Sequence, residues 1–134
     1  MKVTLDTNVL VRLATQDDAA QAAQALELLQ QATLIAVPTP ALCELVWVLL
    51  RGYHYTPAQV AHAVRTLVQV RHVVCNTPAV LAGLALLESG GDFADGAIAC
   101  EGELLGGQAF VSFDHQACRL LKAQKRKVRW LGQG

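Results

Sequence analysis

The chain is short of charge. Only 16% of its 134 residues are Asp, Glu, Lys or Arg, against 53% hydrophobic, and eleven acids balance eleven bases. So apolar a composition excludes general disorder, and a net charge of zero gives no compositional vote for a nucleic-acid partner. Long apolar runs are missing too: the one around Val46 to Leu50 is short and begins beside Glu44, and none reaches the length of a membrane span. No signal peptide is read at the N-terminus, where Met1-Lys2-Val3-Thr4-Leu5 has the pattern of a strand start. Cys43, Cys75, Cys100 and Cys118 lie scattered in apolar segments without a CxxC pair. That pattern is expected of buried free thiols in a reducing cytoplasm, and it speaks against a zinc site. The four histidines form no cluster with metal spacing. Without repeat, low-complexity tract or linker, residues 1–134 are expected to form a single domain with a core of its own.

What is present is an alternation of short apolar strands and amphipathic helices. Strands are expected at 2–5, 34–37, 72–74, 108–112 and 127–131. Asp17-Asp18 caps a helix over 19–32. Thr39-Pro40 reads as an N-cap with proline at the first helical position, opening a helix through Leu50 that Gly52 stops. Thr56-Pro57-Ala58-Gln59 carries a capping box, Thr77-Pro78 repeats the start signal, and Gly90-Gly91 ends that helix. Gly106-Gly107 stops the next, and residues 114–123 form the last. Such a pattern argues for a parallel sheet of about five strands covered by helices on both faces.

Between two of the helices lies Gly91-Asp92-Phe93-Ala94-Asp95-Gly96. Asp92 is placed as an N-cap and Asp95 as the third helical residue, one turn further on. Asp6 follows the first strand, Asp114 follows the fourth, and Glu44 sits in the apolar stretch Ala41-Leu42-Cys43-Glu44-Leu45-Val46-Trp47. Each has a bland reading: capping for the aspartates, and pairing with Arg12 or Arg51 for Glu44, since an unpaired buried charge is costly. Together the acids come from four segments that a parallel sheet can bring to one rim, outside the carboxyl ends of its strands. Lysine and arginine are sparse between Lys2 and Arg119, so a divalent ion is the economical answer to their repulsion. All-oxygen ligands select Mg²⁺ or Mn²⁺. One ion or two, held by carboxylates with positions open to water, suits phosphate-ester hydrolysis. Thr7, Asn8 and Ser112 are neutral neighbours able to hold water or a phosphate oxygen, or are simply helix-start and strand-end residues. Six of the eleven cations fall in the last sixteen positions, a basic end suited to phosphate or to a solvated last helix.

Leu5-Asp6-Thr7-Asn8-Val9-Leu10, Glu44 in its apolar helix, Asp92-Phe93-Ala94-Asp95 with Ile98-Ala99, and Ser112-Phe113-Asp114 together resemble the PIN-domain ribonucleases. More narrowly, they resemble the VapC-like toxins of toxin–antitoxin pairs. The ordered set spans nearly the whole chain, with serine at 112 where the family usually has threonine. The resemblance implies a three-layer α/β/α fold and an Mg²⁺- or Mn²⁺-dependent endoribonuclease. It makes Asp6, Glu44, Asp95 and Asp114 the catalytic and metal-binding acids, with Asp92 auxiliary. It also implies a homodimer held inactive by a small antitoxin. A receiver domain would want an acidic pair after the first strand and a lysine after the last. A haloacid-type phosphatase would want a second aspartate where Asn8 stands. A non-catalytic PIN-like module binding RNA or protein is the remaining alternative.

Overall fold

The computed structural model describes residues 1–132. The elements run β1 (Lys2–Thr4), α1 (Thr7–Thr15), α2 (Ala19–Gln31), β2 (Leu34–Ala36), α3 (Thr39–Arg51), α4 (Pro57–Val68), β3 (Val73–Val74), α5 (Thr77–Glu88), α6 (Phe93–Leu104), β4 (Phe110–Ser112), α7 (His115–Ala123) and β5 (Val128–Trp130). Contacts divide the chain into two compact units, one ending at Asn76 and the other starting at Thr77. The expected α/β class holds, and every strand pairing is parallel. The five strands are hydrogen-bonded as a sheet of three, β1-β2-β3, and a pair, β4-β5.

In the first unit, Val3 pairs with Ile35, and Ile35 with Val73. The ladder continues one residue past the regular strands, with Leu5 N–H donating to the Ala36 carbonyl (3.0 Å) and Val37 N–H to that of Val74 (2.9 Å). Parallel strands need crossovers, and helices supply them: α1 and α2 lie between β1 and β2, and α3 and α4 between β2 and β3. Leu10, Ile35, Leu42, Leu45, Leu49 and Val60 are fully buried. Thr56 accepts from Gln59 N–H and the Gln59 side chain accepts from Thr56 N–H, the expected capping box. α3 begins one residue earlier than the Thr39-Pro40 pattern suggests. Pro38, its φ fixed at −68°, is the N-cap, while Thr39 is the first helical residue, is buried, and makes no capping bond.

A polar knot ties the α1–α2 turn to the loop after α3. Tyr53 Oη donates to Asp17 Oδ2 (2.6 Å), Thr15 Oγ1 to Asp17 Oδ1 (2.8 Å), and Arg12 Nη1 lies 3.1 Å from the same oxygen. These bonds hold the Asp17 carboxyl below its ordinary 3.8, Tyr53 contributing most, then Thr15, with Arg12 a lesser charge effect. A depressed carboxyl adds stability above the unfolded value and loses it as pH falls through the folded one. Tyr53→Phe is therefore expected to lower Tm at pH 7. The difference from wild type should close as melts are taken to pH values under 3.8.

In the second unit β4 and β5 pair Phe110 with Val128 and Ser112 with Trp130. Leu86, Ala99 and Leu121 form a buried cluster, with Phe110, Leu120 and Val128 packed on it. α5 and α6 approach closely because two glycines face the contact. A Cβ on Gly83 would meet the Phe93 ring at 2.7 Å, and one on Gly96 would overlap the Ala82 carbonyl oxygen. Phe93, fully buried, fills the space that Gly83 leaves.

Candidate functional site

In the first unit the chain leaves β1 and turns straight into α1, with Asp6 at the turn. Asp6 is the N-cap, extended at φ −81° and ψ 163°, and its Oδ1 accepts from Thr7 N–H at 2.7 Å. Thr7 Oγ1 donates to Glu44 Oε2 at 3.3 Å, so the hydroxyl joins the first turn of α1 to the second turn of α3. Asp6, Thr7 and Glu44 line a shallow concavity of about 330 Å³ floored by Leu5 and Ala41 and rimmed by Pro38 and Pro40. Glu44 is exposed and not buried in its apolar helix, which removes the desolvation cost expected from the sequence. The exposed residues of α3 are Pro40, Glu44, Trp47 and Arg51, a helical stripe that carries the acid to solvent. Among the described residues no cation pairs with Glu44, and Arg12 is engaged by Asp17. Asn8, also exposed, lines a different depression, with Arg12, Gln21 and Gln24 on α1 and α2.

In the second unit the two helix starts behave as their sequences suggest. Asp92 caps α6, accepting from Ala94 N–H at 3.1 Å, and Asp95 is its third residue. Asp114 caps α7, accepting from Ala117 N–H at 3.0 Å, while its own N–H donates to Ser112 Oγ at 3.0 Å. Asp95 takes no part in the capping bonds among the described residues. Its carboxyl is half-buried, and that burial, followed by the charges of Asp92 and then Asp114, pushes it above its ordinary 3.8. Cys118, buried beneath, feels the same field: burial first, then Asp114, and more weakly Asp95, raise its thiol.

The structure thus joins Asp6, Thr7 and Glu44 in one unit, and Asp92, Asp95, Asp114 and Ser112 in the other. Among the described residues no three His, Cys, Asp or Glu side chains form a ready metal cluster. The donor chemistry still fits a hard divalent ion. Three of the aspartates spend one oxygen on a backbone N–H, and a carboxylate has about four lone-pair sites, so the second oxygen stays free. Burial raises the Asp95 carboxyl most, and the charges of Asp92 and then Asp114 add a repulsion that a cation would relieve. Sequence reasoning missed the clamp on this rim: Trp130 Nε1–H donates to the Phe113 carbonyl at 3.0 Å. Nothing in spacing or residue type pointed to it, because the bond crosses from one strand end to the next. All four cysteines are thiols, Cys100 and Cys118 buried, Cys43 and Cys75 half-buried.

Parallel strands that release acids at their carboxyl ends, with helices capped by those same acids, define an α/β protein built to present carboxylates. The PIN domain family model matches residues 3–122, and the chain belongs to the PIN domain family. A search of the curated proteins finds no match. PIN domains are in general metal-dependent nucleases acting with Mg²⁺ or Mn²⁺, so the fold is nuclease-like and RNA is the partner it implies. No helix among the described residues is long and apolar enough to cross a membrane.

Proposed function

We propose that this PIN domain is an endoribonuclease and the toxin of a VapC-like toxin–antitoxin pair, with residues 1–134 acting as one functional domain in the cytoplasm. The observation that carries the nuclease reading is Asp95: a half-buried carboxyl raised by its burial and by Asp92 and Asp114, with no cation paired to it among the described residues. Asp6, Glu44, Asp95 and Asp114 would hold Mg²⁺ or Mn²⁺, with Asp92 auxiliary. When bound, a hard ion lowers the pKa of an attacking water and offsets charge on the phosphoryl oxygens. Thr7 orients Glu44 through its hydroxyl. Ser112, by accepting the Asp114 N–H, fixes the turn from which that carboxylate projects. The antitoxin and a second copy of the chain are the protein partners this reading carries. An open groove of about 710 Å³ along α1, α2 and α4, lined by Leu13, Leu26, Leu29 and Val70, has the chemistry to take an amphipathic segment.

The test is cleavage of RNA by purified protein with Mn²⁺ or Mg²⁺ and with chelator. Cleavage that needs the ion supports the reading. RNA binding without cleavage under any ion would make the chain the non-catalytic module instead.

Exposed Arg119, Lys122, Lys125, Lys127 and Arg129 supply phosphate contacts in this reading, whereas Arg126 is paired with Glu103. RNA affinity should then fall with salt, with a log–log slope of roughly 0.7 per phosphate contacted on a single strand. Filter binding between low and physiological salt reads it, and a flat response would remove the basic end from the interface.

A further inference from the structure

We propose that Phe113, its carbonyl bound by the Trp130 side chain, is a stacking platform for an RNA base beside the cleaved bond. The inference rests on the nuclease reading above and deepens it by naming a residue that seats the substrate. Phe113 stands next to Asp114 and is 76% exposed. A large apolar ring this open gains nothing from the core, yet its carbonyl is bound by a side chain and the residues on either side of it are hydrogen-bonded. Trp130 Nε1–H donates to the Phe113 carbonyl (3.0 Å), Asp114 N–H to Ser112 Oγ (3.0 Å), and Leu131 N–H to the Ser112 carbonyl (2.9 Å). The Trp130 ring is itself packed on that of His115, centroids 4.3 Å apart at 31°. A mobile hydrophobic tip would need no such bracing.

The charge around it favours nucleic acid over a protein partner. Lys127, immediately before β5, and Arg129 within it are both exposed, and Arg129 is paired in register with exposed Val111 of β4. A phenyl ring beside strand-borne cations, next to an acid placed in the catalytic set, is the combination that holds a single strand: bases stack on the ring while cations follow the backbone. Phenylalanine has no hydrogen-bonding group in its side chain, so the platform accepts any base. The bases of an A-form helix are already stacked on one another and unavailable to it.

The experiment compares wild type, Phe113→Leu and Phe113→Tyr in Mn²⁺ on a single-stranded oligoribonucleotide, with the cleaved bond mapped first. Phe113→Leu is expected to raise KM by roughly 5- to 100-fold with little change in kcat, and Phe113→Tyr to restore it. Removing the base that flanks the cleaved bond should impose the same loss on wild type and little further loss on Phe113→Leu. A purely structural role would not produce that non-additivity. Ion-dependent cleavage with an unchanged KM in Phe113→Leu overturns the stacking role and leaves the nuclease reading standing. A change in self-association with RNA affinity intact assigns Phe113 to a protein contact and overturns it as well. Absence of both RNA binding and ion-dependent cleavage in wild type removes the nuclease reading and this inference together.

Discussion

Asp95→Asn is expected to cost at least about 100-fold in ion-dependent RNA cleavage while making the protein more stable in chelator. The first figure follows from what metal sites lose when even an outer partner is removed, about 10- to 100-fold; a direct ligand should lose no less. The second follows from sign. Asp95 has its carboxyl raised in the folded protein, by burial first and then by Asp92 and Asp114. A raised carboxyl favours folding below the unfolded value of 3.8 and forfeits that contribution as pH rises through the folded one. At pH 7 the ionised group is therefore a burden that asparagine removes. Melts in chelator should show a higher Tm for the variant at pH 7, and no difference at pH values under 3.8. Saturating Mn²⁺ should reverse the order. An ion at about 100 times its Kd adds about 2.7 kcal/mol to whichever protein binds it, and wild type alone is expected to. A variant that melts lower than wild type in chelator at pH 7 would show Asp95 to be a structural acid.

Two glycines on α6 should respond in opposite directions to the same substitution. Gly96→Ala gains about 1 kcal/mol of helix propensity but drives a methyl group into the backbone carbonyl of Ala82, which cannot move without shifting α5. Overpacking of this kind costs about 1–3 kcal/mol even where side chains can yield, and a backbone obstacle lies at or beyond the upper end. A net loss of about 2 kcal/mol or more is expected, roughly 4 °C in Tm for each kcal/mol at this chain length. Because α6 carries Asp92 and Asp95 on its first turn, the variant should also lose cleavage at temperatures where it remains folded. Gly102→Ala, on the same helix with nothing within 4 Å of its added methyl, should gain up to about 1 kcal/mol. Thermal denaturation of the pair separates close approach from helix propensity, and a stabilised Gly96→Ala would refute the contact.

The contrast between these glycines shows where sequence reasoning ends. Asp92 and Asp95 were legible because capping is local chemistry: an acceptor one residue ahead of a helix, and a second acid one turn on. The capping box of Thr56 and Gln59 was legible for the same reason. Asp6 and Asp114 followed from strand-to-helix turns, which parallel strands make obligatory. Glu44 drew attention through an expectation of burial that the structure does not meet. Its neighbours are apolar, but residues 40, 44, 47 and 51 recur at helical spacing on the exposed side, so the acid is wet. Gly96 gave no such signal, since only the facing carbonyl of another helix distinguishes it from Gly102. Tyr53 and Asp17, 36 residues apart, and Trp130 and Phe113, 17 apart, are bonds that only tertiary proximity creates.

Asp6, Asp92 and Asp114 each secure the opening turn of a helix with the same carboxylate that the proposed function draws on, Asp6 and Asp114 for the ion and Asp92 beside them. Truncation to alanine at these positions would fray a helix, at about 1 kcal/mol apiece, as well as removing a carboxylate. Asparagine keeps the amide-facing oxygen and discards the charge. A lineage of this protein that drifted into inactivity could shed its anions cheaply only through residues that still accept a backbone proton, so asparagine or serine at 6, 92 and 114 is the scar such a decay would leave.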